Sequence, residues 1–267
     1  MNQLKFSKTG SKGPVVILLG RRDTGKSVLT KDILSHNPDI PIAQVISGTE
    51  AGNGFYSQIV PKIFIHHEYK PTVVDLLLQR QRDVINEINA ENEKYGKSTI
   101  DGRAILIMDD CLYDPRWTKD TCMRVLFMNG RHWKVMLIIT MQYPIGIPPV
   151  LRTNIDFTFI LRDNIISNRK KIYEHYAGCV PTFESFCQIM DQCTEDYGCL
   201  VVDNNIKSNK LSDQIYWYKA NPTTRDFKIG AQQFWEMSAE LEEDEPEIDP
   251  SKQKRRKEQQ FKVKKKW

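Results

Sequence analysis

No stretch of the 267-residue chain approaches the roughly eighteen consecutive apolar residues of a membrane-spanning helix. The first residues, MNQLKFSKTGSKG, lack the apolar middle of a secretory signal. The chain is therefore expected to stay on the reducing side of the membrane. Cysteine usage agrees: Cys111, Cys122, Cys179, Cys187, Cys193 and Cys199 include no Cys-x-x-Cys pair. A zinc site drawn from His175, Cys179, Cys187, Cys193 and Cys199 stays open, but its spacings are wide for a ribbon or finger, so buried or idle thiols are the expectation. No internal repeat and no RNA-binding signature are visible. A guanine-reading Asn-Lys-x-Asp is also missing, because NKLSD at 209–213 is one residue too long.

Net charge is scarce as well, at +4 from 38 basic and 34 acidic side chains. That small figure hides a polar end. Residues 240–249 carry seven acids and no base, and 251–267 carry nine bases and one acid. Both blocks are too charged to bury and are expected to be disordered when free. The reading is a body over 1–235 and a charged tail over 236–267. The basic block suits contact with nucleic acid or a nuclear import signal.

What the chain does have is alternation. GPVVILLG (13–20) is a short apolar run rich in β-branched residues, as in a strand buried on both faces. Residues 25–36 then show helical spacing. Further strands are expected at 41–48, 62–67, 102–110, 134–142, 155–163, 198–203 and 214–219. A long amphipathic helix is expected from Pro71 to Gly96, with others at 118–129, 166–177 and 183–192. Buried strands alternating with helices predict an α/β fold. Its central sheet would be open, mostly parallel and covered by helices on both faces, with ligands at the carboxyl ends of the strands.

One such strand end carries GRRDTGKS, which matches G-x-x-x-x-G-K-S/T between a buried strand and a helix start. Gly20, Arg21, Arg22, Asp23, Thr24, Gly25, Lys26, Ser27 and Val28 form the candidate phosphate loop. Its glycines let backbone N–H groups turn toward phosphates, while Lys26 neutralises their charge and Ser27 holds Mg²⁺. Asp23 stands where many such loops carry another glycine. A P-loop NTPase needs a second acid on a neighbouring strand, and ILIMDD supplies Asp109 and Asp110. Asp109 is assigned to the metal and Asp110 to the attacking water. Gln142, ending the strand at 134–142, is placed to sense the γ-phosphate or position that water. His66 and His67, like the aromatics Trp117, Trp133, Tyr216, Trp217 and Tyr218, read as structural.

These motifs in this order, with an extra strand between the loop and the two aspartates, resemble the FtsK–HerA superfamily of P-loop DNA translocases. Arg131 just ahead of the strand ending in Gln142 adds to the likeness. Within that superfamily, ISGTEAGNGFYSQIVPKIFIHHEY and NGRHWK resemble the genome-packaging ATPases of nucleocytoplasmic large DNA viruses. The likeness covers most of residues 13–220. It departs at Asp110, where cellular relatives usually have glutamate. The resemblance implies an ATPase using ATP and Mg²⁺ that assembles as a ring of five or six copies and drives double-stranded DNA into a preformed capsid. It implies an arginine finger reaching a neighbour's nucleotide, with Arg131 the first choice, Arg152 the second and Arg162 the third. It also implies capsid or inner-membrane virion proteins as partners and the assembly sites of the host cytoplasm as location. Two other readings use the same loop: a small-molecule or nucleotide kinase, and a nucleotide-binding structural protein of the virion that does not turn over. The chain has no evident arginine-rich lid for the first.

Overall fold

The computed structural model describes residues 1–4, 12–111 and 114–243. They fall into two compact units, Met1–Ala231 and a second beginning at Gln232. The first unit is built on a nine-stranded sheet. Its strands are β1 (Asn2–Gln3), β2 (Val15–Leu19), β3 (Ala43–Ser47), β4 (Ile65–His66) and β5 (Ala104–Asp109), then β6 (Val135–Met141), β7 (Phe157–Ile160), β8 (Gly198–Asp203) and β9 (Ile215–Lys219). Their order across the sheet is β1-β9-β8-β7-β2-β6-β5-β3-β4. All neighbours pair parallel except those of β8, which runs antiparallel to β7 and β9. The sheet is thus open and mostly parallel, as the apolar runs predict.

The helices of this unit are α1 (Lys26–Ser35), α2 (Glu50–Asn53), α3 (Pro71–Tyr95), α4 (Thr121–Asn129), α5 (Pro149–Arg152), α6 (Ile166–Tyr176), α7 (Phe183–Cys193) and α8 (Leu211–Gln214). Because strand side chains alternate in direction, β2 feeds two cores at once. Val15, Ile17 and Leu19 join one apolar cluster with α3 and α4, and Val16 and Leu18 join another with α1. Every residue of β2 is at most 4% exposed, which explains why its sequence shows no polar alternation. The long helix α3 starts on Pro71 and stops at Gly96, whose φ of 76° ends it in the left-handed region.

Two expectations change here. The strand expected over 62–67 is mostly a 3₁₀ turn at Lys62–Phe64, closed by Phe64 N–H donating to the Pro61 carbonyl. Only Ile65 and His66 pair with β3, at the sheet edge. The tail expected from 236 begins inside helix α9 (Gln232–Glu243). Good helix formers on that stretch, with Gln232 bonded to Glu236 one turn on, favour the helix over disorder. The remainder of the charged tail, 244–267, lies outside the described residues.

Candidate active site

The phosphate loop leaves β2 at Gly20, whose N–H donates to the Met141 carbonyl at the end of β6. Two left-handed residues then bend it, Asp23 with φ 62° and Gly25 with φ 97°. This accounts for the position at which a glycine is common: the backbone there is left-handed, and aspartate tolerates it better than most residues. Gly25 leads directly into α1, which has no side-chain cap and no acid in its first turn. Its first N–H groups are therefore open to an anion. Thr24 Oγ1 donates to the Arg21 carbonyl and tightens the loop. Lys26 Nζ folds back to donate to the carbonyls of Gly20, at 2.7 Å, and Arg21, at 2.8 Å. Burial lowers its pKa, while Asp110 and Asp109 act in the opposite direction. The ammonium is thus half-buried and held at the mouth of the loop by carbonyls that a phosphate would replace.

Register builds the acidic side. Ser47 of β3, Asp109 of β5 and Thr140 of β6 lie level on three adjacent strands. Thr140 Oγ1 donates to Asp109 Oδ1 at 2.6 Å, and Ser47 Oγ donates to Asp109 Oδ2 at 3.2 Å. Burial, with the nearby Asp109 charge acting in the same direction, pushes the Tyr56 hydroxyl's pKa well above its ordinary value. Thr140 Oγ1 accepts from Asp110 N–H at 3.0 Å, so one hydroxyl fixes both acids. Asp110 sits just past the strand in a left-handed conformation, φ 52°, and accepts from Gln142 Nε2. The acid-bearing strand is not next to β2, however. β6 lies between β2 and β5, so Gln142 enters between loop and acids. Sequence order hides this, because β6 follows β5 in the chain. Cys111 lies beside the acids, and burial with Asp109 and Asp110 pushes its thiol up to about 12, leaving it inert.

Loop and acids share one cavity of about 740 Å³, lined by Arg22, Asp23, Gly25, Lys26, Ser27 and Val28 on one side and by Asp109, Asp110 and Gln142 on another. Hard oxygen donors from Ser27 and Asp109, with an uncapped helix start and a lysine, fit Mg²⁺ and a polyphosphate. Thr49, Asp196, Tyr197, Lys219, Ala220 and Pro222 complete the wall. The sequence reading missed these six. It also missed Ser47, Tyr56 and Thr140, although a hydroxyl at or next to the end of two apolar strands is a visible signal for Ser47 and Thr140.

The three arginines are elsewhere. Arg131 lies ahead of β6, at the opposite edge of the sheet, and donates to Asp156 Oδ1 at 2.9 Å. Asp156 is 7% exposed, and its other oxygen accepts from Val15 N–H. Burial raises its pKa, opposed by the Val15 bond and by Arg131. Arg152 donates to the Ile147 carbonyl and lies over the Tyr176 ring, 6.0 Å from its centre. Arg162 bonds Asn164. None of the three lines the cavity.

No protein-family model matches the chain. It is 36% identical over 225 residues to protein L437 of Acanthamoeba polyphaga mimivirus, covering 84% of this chain and 78% of that one. To protein 075L of Invertebrate iridescent virus 6 it is 38% identical over 228 residues, covering 84% of each. The chain belongs to this family of large-DNA-virus proteins. Its fold extends the likeness to solved structures. The genome packaging NTPase B204 of Sulfolobus turreted icosahedral virus 2, in complex with AMP, superposes with a TM-score of 0.52 at 18% identity, over 80% of this chain and all of that one. The pCW3 conjugation coupling protein TcpA, with ATPγS, gives 0.54 at 14% identity, over 79% of this chain and 60% of that one. The P-loop NTPase fold and the viral kinship are those the motifs resemble.

Proposed function

We propose that the chain is an ATP-hydrolysing ring motor that translocates double-stranded viral DNA into a preformed capsid. The observation that carries this is the meeting of Lys26 and Ser27 with Asp109, Asp110 and Gln142 around one cavity. Support for the DNA step comes from the likeness: B204 of Sulfolobus turreted icosahedral virus 2 is described as a genome packaging NTPase, and B204 of Sulfolobus turreted icosahedral virus as its DNA-packaging ATPase.

Mg²⁺ bound with ATP supplies charge neutralisation and orients the phosphates. The chain's own residues do the rest. Lys26 exchanges its bonds to the Gly20 and Arg21 carbonyls for the phosphates, and Ser27 and Asp109 hold the metal. Asp110 accepts the proton of the attacking water, and Gln142, already donating to Asp110, aligns that water. The Asp110 carboxylate, just past the strand on a left-handed residue, accepts from Gln142 rather than from the hydroxyls that bond the Asp109 carboxylate. In the ring of five or six copies, Arg131 or Arg152 would serve a neighbour, since neither reaches its own cavity. Capsid or inner-membrane virion proteins would anchor the ring at cytoplasmic assembly sites.

The test is phosphate release by purified protein with and without duplex DNA, together with mass measurement of the oligomer. Stimulation by DNA in a five- or six-membered assembly is expected. A monomer with the same rate in both conditions, or phosphate moved to a small acceptor, overturns the proposal. Removing 244–267 should leave basal hydrolysis intact and weaken DNA binding most at low salt.

A further inference from the structure

The wall of the cavity opposite the acids is unexplained by phosphate or metal chemistry. Its apolar part is Tyr197, Ala220 and Pro222, beside Asp196 and Lys219, and Val28 lines the same cavity. Topology delivers these residues. β8 is antiparallel, so its amino end lies at the carboxyl edge of the other strands, and the turn before it reaches the phosphate loop. β9 runs parallel to β7 and ends at the same edge, where Gly198 pairs with Lys219.

Tyr197 is held in an unusual state for an aromatic residue. It has a left-handed backbone with φ 60°, and so does Asp196 with φ 46°. Such conformations are disfavoured for residues with side chains and persist where surroundings impose them. The turn is pressed against the end of α7: a side chain at Gly198 would stand 2.3 Å from the Cys193 carbonyl oxygen. An ion pair from Lys219 to Asp196 ties the turn to β9. Tyr197 is nevertheless 69% exposed. Its Cδ1 lies 3.4 Å from where a Cβ on Gly25 would be, beside the start of α1. The turn thus carries an aromatic face that packs against neither apolar cluster, at the rim of the phosphate loop.

We propose that Tyr197 is the stacking platform for the base of the bound nucleotide, with Ala220 and Pro222 bounding the same subsite. The inference rests on the nucleotide-binding reading above. The class of ligand is a nucleoside triphosphate whose base lies flat on the ring while its phosphates occupy the loop. Stacking uses the π-face that every base has, so Tyr197 supplies affinity without reading the base edge.

Calorimetric titration of the wild type and of Tyr197→Ala, Tyr197→Phe and Tyr197→Trp, each with ATP, GTP and inorganic tripolyphosphate, tests this. Tyr197→Ala should weaken ATP and GTP alike, by about tenfold, and leave tripolyphosphate unchanged. Tyr197→Phe should stay close to wild type, and Tyr197→Trp should bind at least as tightly. The exposed ring makes a folding defect in these variants unexpected, and Phe and Trp keep an aromatic face in any case. Unchanged ATP affinity in Tyr197→Ala overturns the proposal. Equal weakening of ATP and tripolyphosphate does so too, because the turn would then be shaping the loop. A wild type that binds tripolyphosphate but gains nothing from a base sinks the subsite alone, whereas one that binds neither sinks the nucleotide reading itself.

Discussion

At the carboxyl edge of the sheet, the Asp109 and Asp110 carboxylates are held by hydroxyls and an amide. At the amino edge, Asp156 meets Arg131, and Asp39 and Asp101 both meet Arg103. The difference is one of charge. A carboxylate paired with arginine is already neutralised, and its work is structural. One fixed by neutral donors keeps its negative charge for a cation or a proton. Backbone strain divides the same way. Of the five described non-glycine residues with positive φ, Asp23, Asp110, Asp196 and Tyr197 lie around the cavity, and only Lys134 lies at the amino edge. Strain concentrated at one edge marks where geometry is imposed for chemistry.

The comparison breaks most severely if the carboxyl edge tolerates loss of the half-buried Lys26 cation. Lys26→Ala should lower ATP binding and turnover by at least about a hundredfold, since the phosphates lose their neutralising charge. Hydrolysis at the wild-type rate under saturating ATP would mean that this edge is not the site. Next come the two acids, which should part company. Asp110→Asn should slow hydrolysis by about 10²- to 10⁴-fold with Mg·ATP still bound. Asp109→Asn should instead weaken nucleotide binding only when Mg²⁺ is present. Titrations in which the two variants behave alike would refute the division of roles that Thr140 sets up.

Much of the carboxyl edge was legible in the sequence because it is made locally. The run at 13–20, the loop, Asp109 with Asp110, and Gln142 each end a recognisable apolar strand. What was not legible depends on strands meeting. That β6 separates β2 from β5, and that Thr140 therefore touches both acids, follows from sheet order. Tyr197 reaches the cavity only because β8 runs antiparallel, and nothing local to GCLVVD announces that. Asp156 likewise stands 25 residues from Arg131 and comes to it through the pairing of β7 with β2. The edge strand at 62–67 was overread because apolar alternation there is interrupted by a proline-led turn.

The amino edge sharpens the comparison through Arg131. Removing it leaves the buried Asp156 with only the Val15 N–H, so Arg131→Ala should lose about 1–2 kcal/mol of folding stability. Asp110→Asn, at the other edge, should lose little or none. A finger role is separable from this structural one. Asp156→Asn leaves the arginine present but unpaired, whereas Arg131→Ala removes it. If Arg131 also serves a neighbour's nucleotide, hydrolysis falls in Arg131→Ala and not in Asp156→Asn. Mixed rings of Arg131→Ala with Lys26→Ala should then recover some activity. Equal loss in both variants with no recovery would leave Arg131 a purely structural residue, and Arg152 would take its place.

The smallest effect concerns Asp101, and it tests whether the amino-edge pairs behave as structural ones. Burial acts to raise its pKa, but hydrogen bonds from Arg103 outweigh this and hold it below the ordinary 3.8. A depressed folded value means that the folded chain binds fewer protons than the unfolded one. The stabilisation is therefore fully present above the unfolded value and is lost as pH falls through the folded one. The Asp101 side chain is 40% exposed, so solvent keeps the contribution under about 1 kcal/mol. Arg103→Gln removes the side-chain bonds and should be less stable than wild type in urea at about pH 6. The gap should narrow as pH falls toward about 3.5, because protonation deprives the wild type of the same interaction. Asp156 has its pKa raised and so must contribute with the opposite sign, which makes the Arg103 variant the cleaner probe. A gap that stays constant across that range would show that Arg103 stabilises through packing of its stem rather than through the carboxylates, and the edge would no longer be defined by its ion pairs.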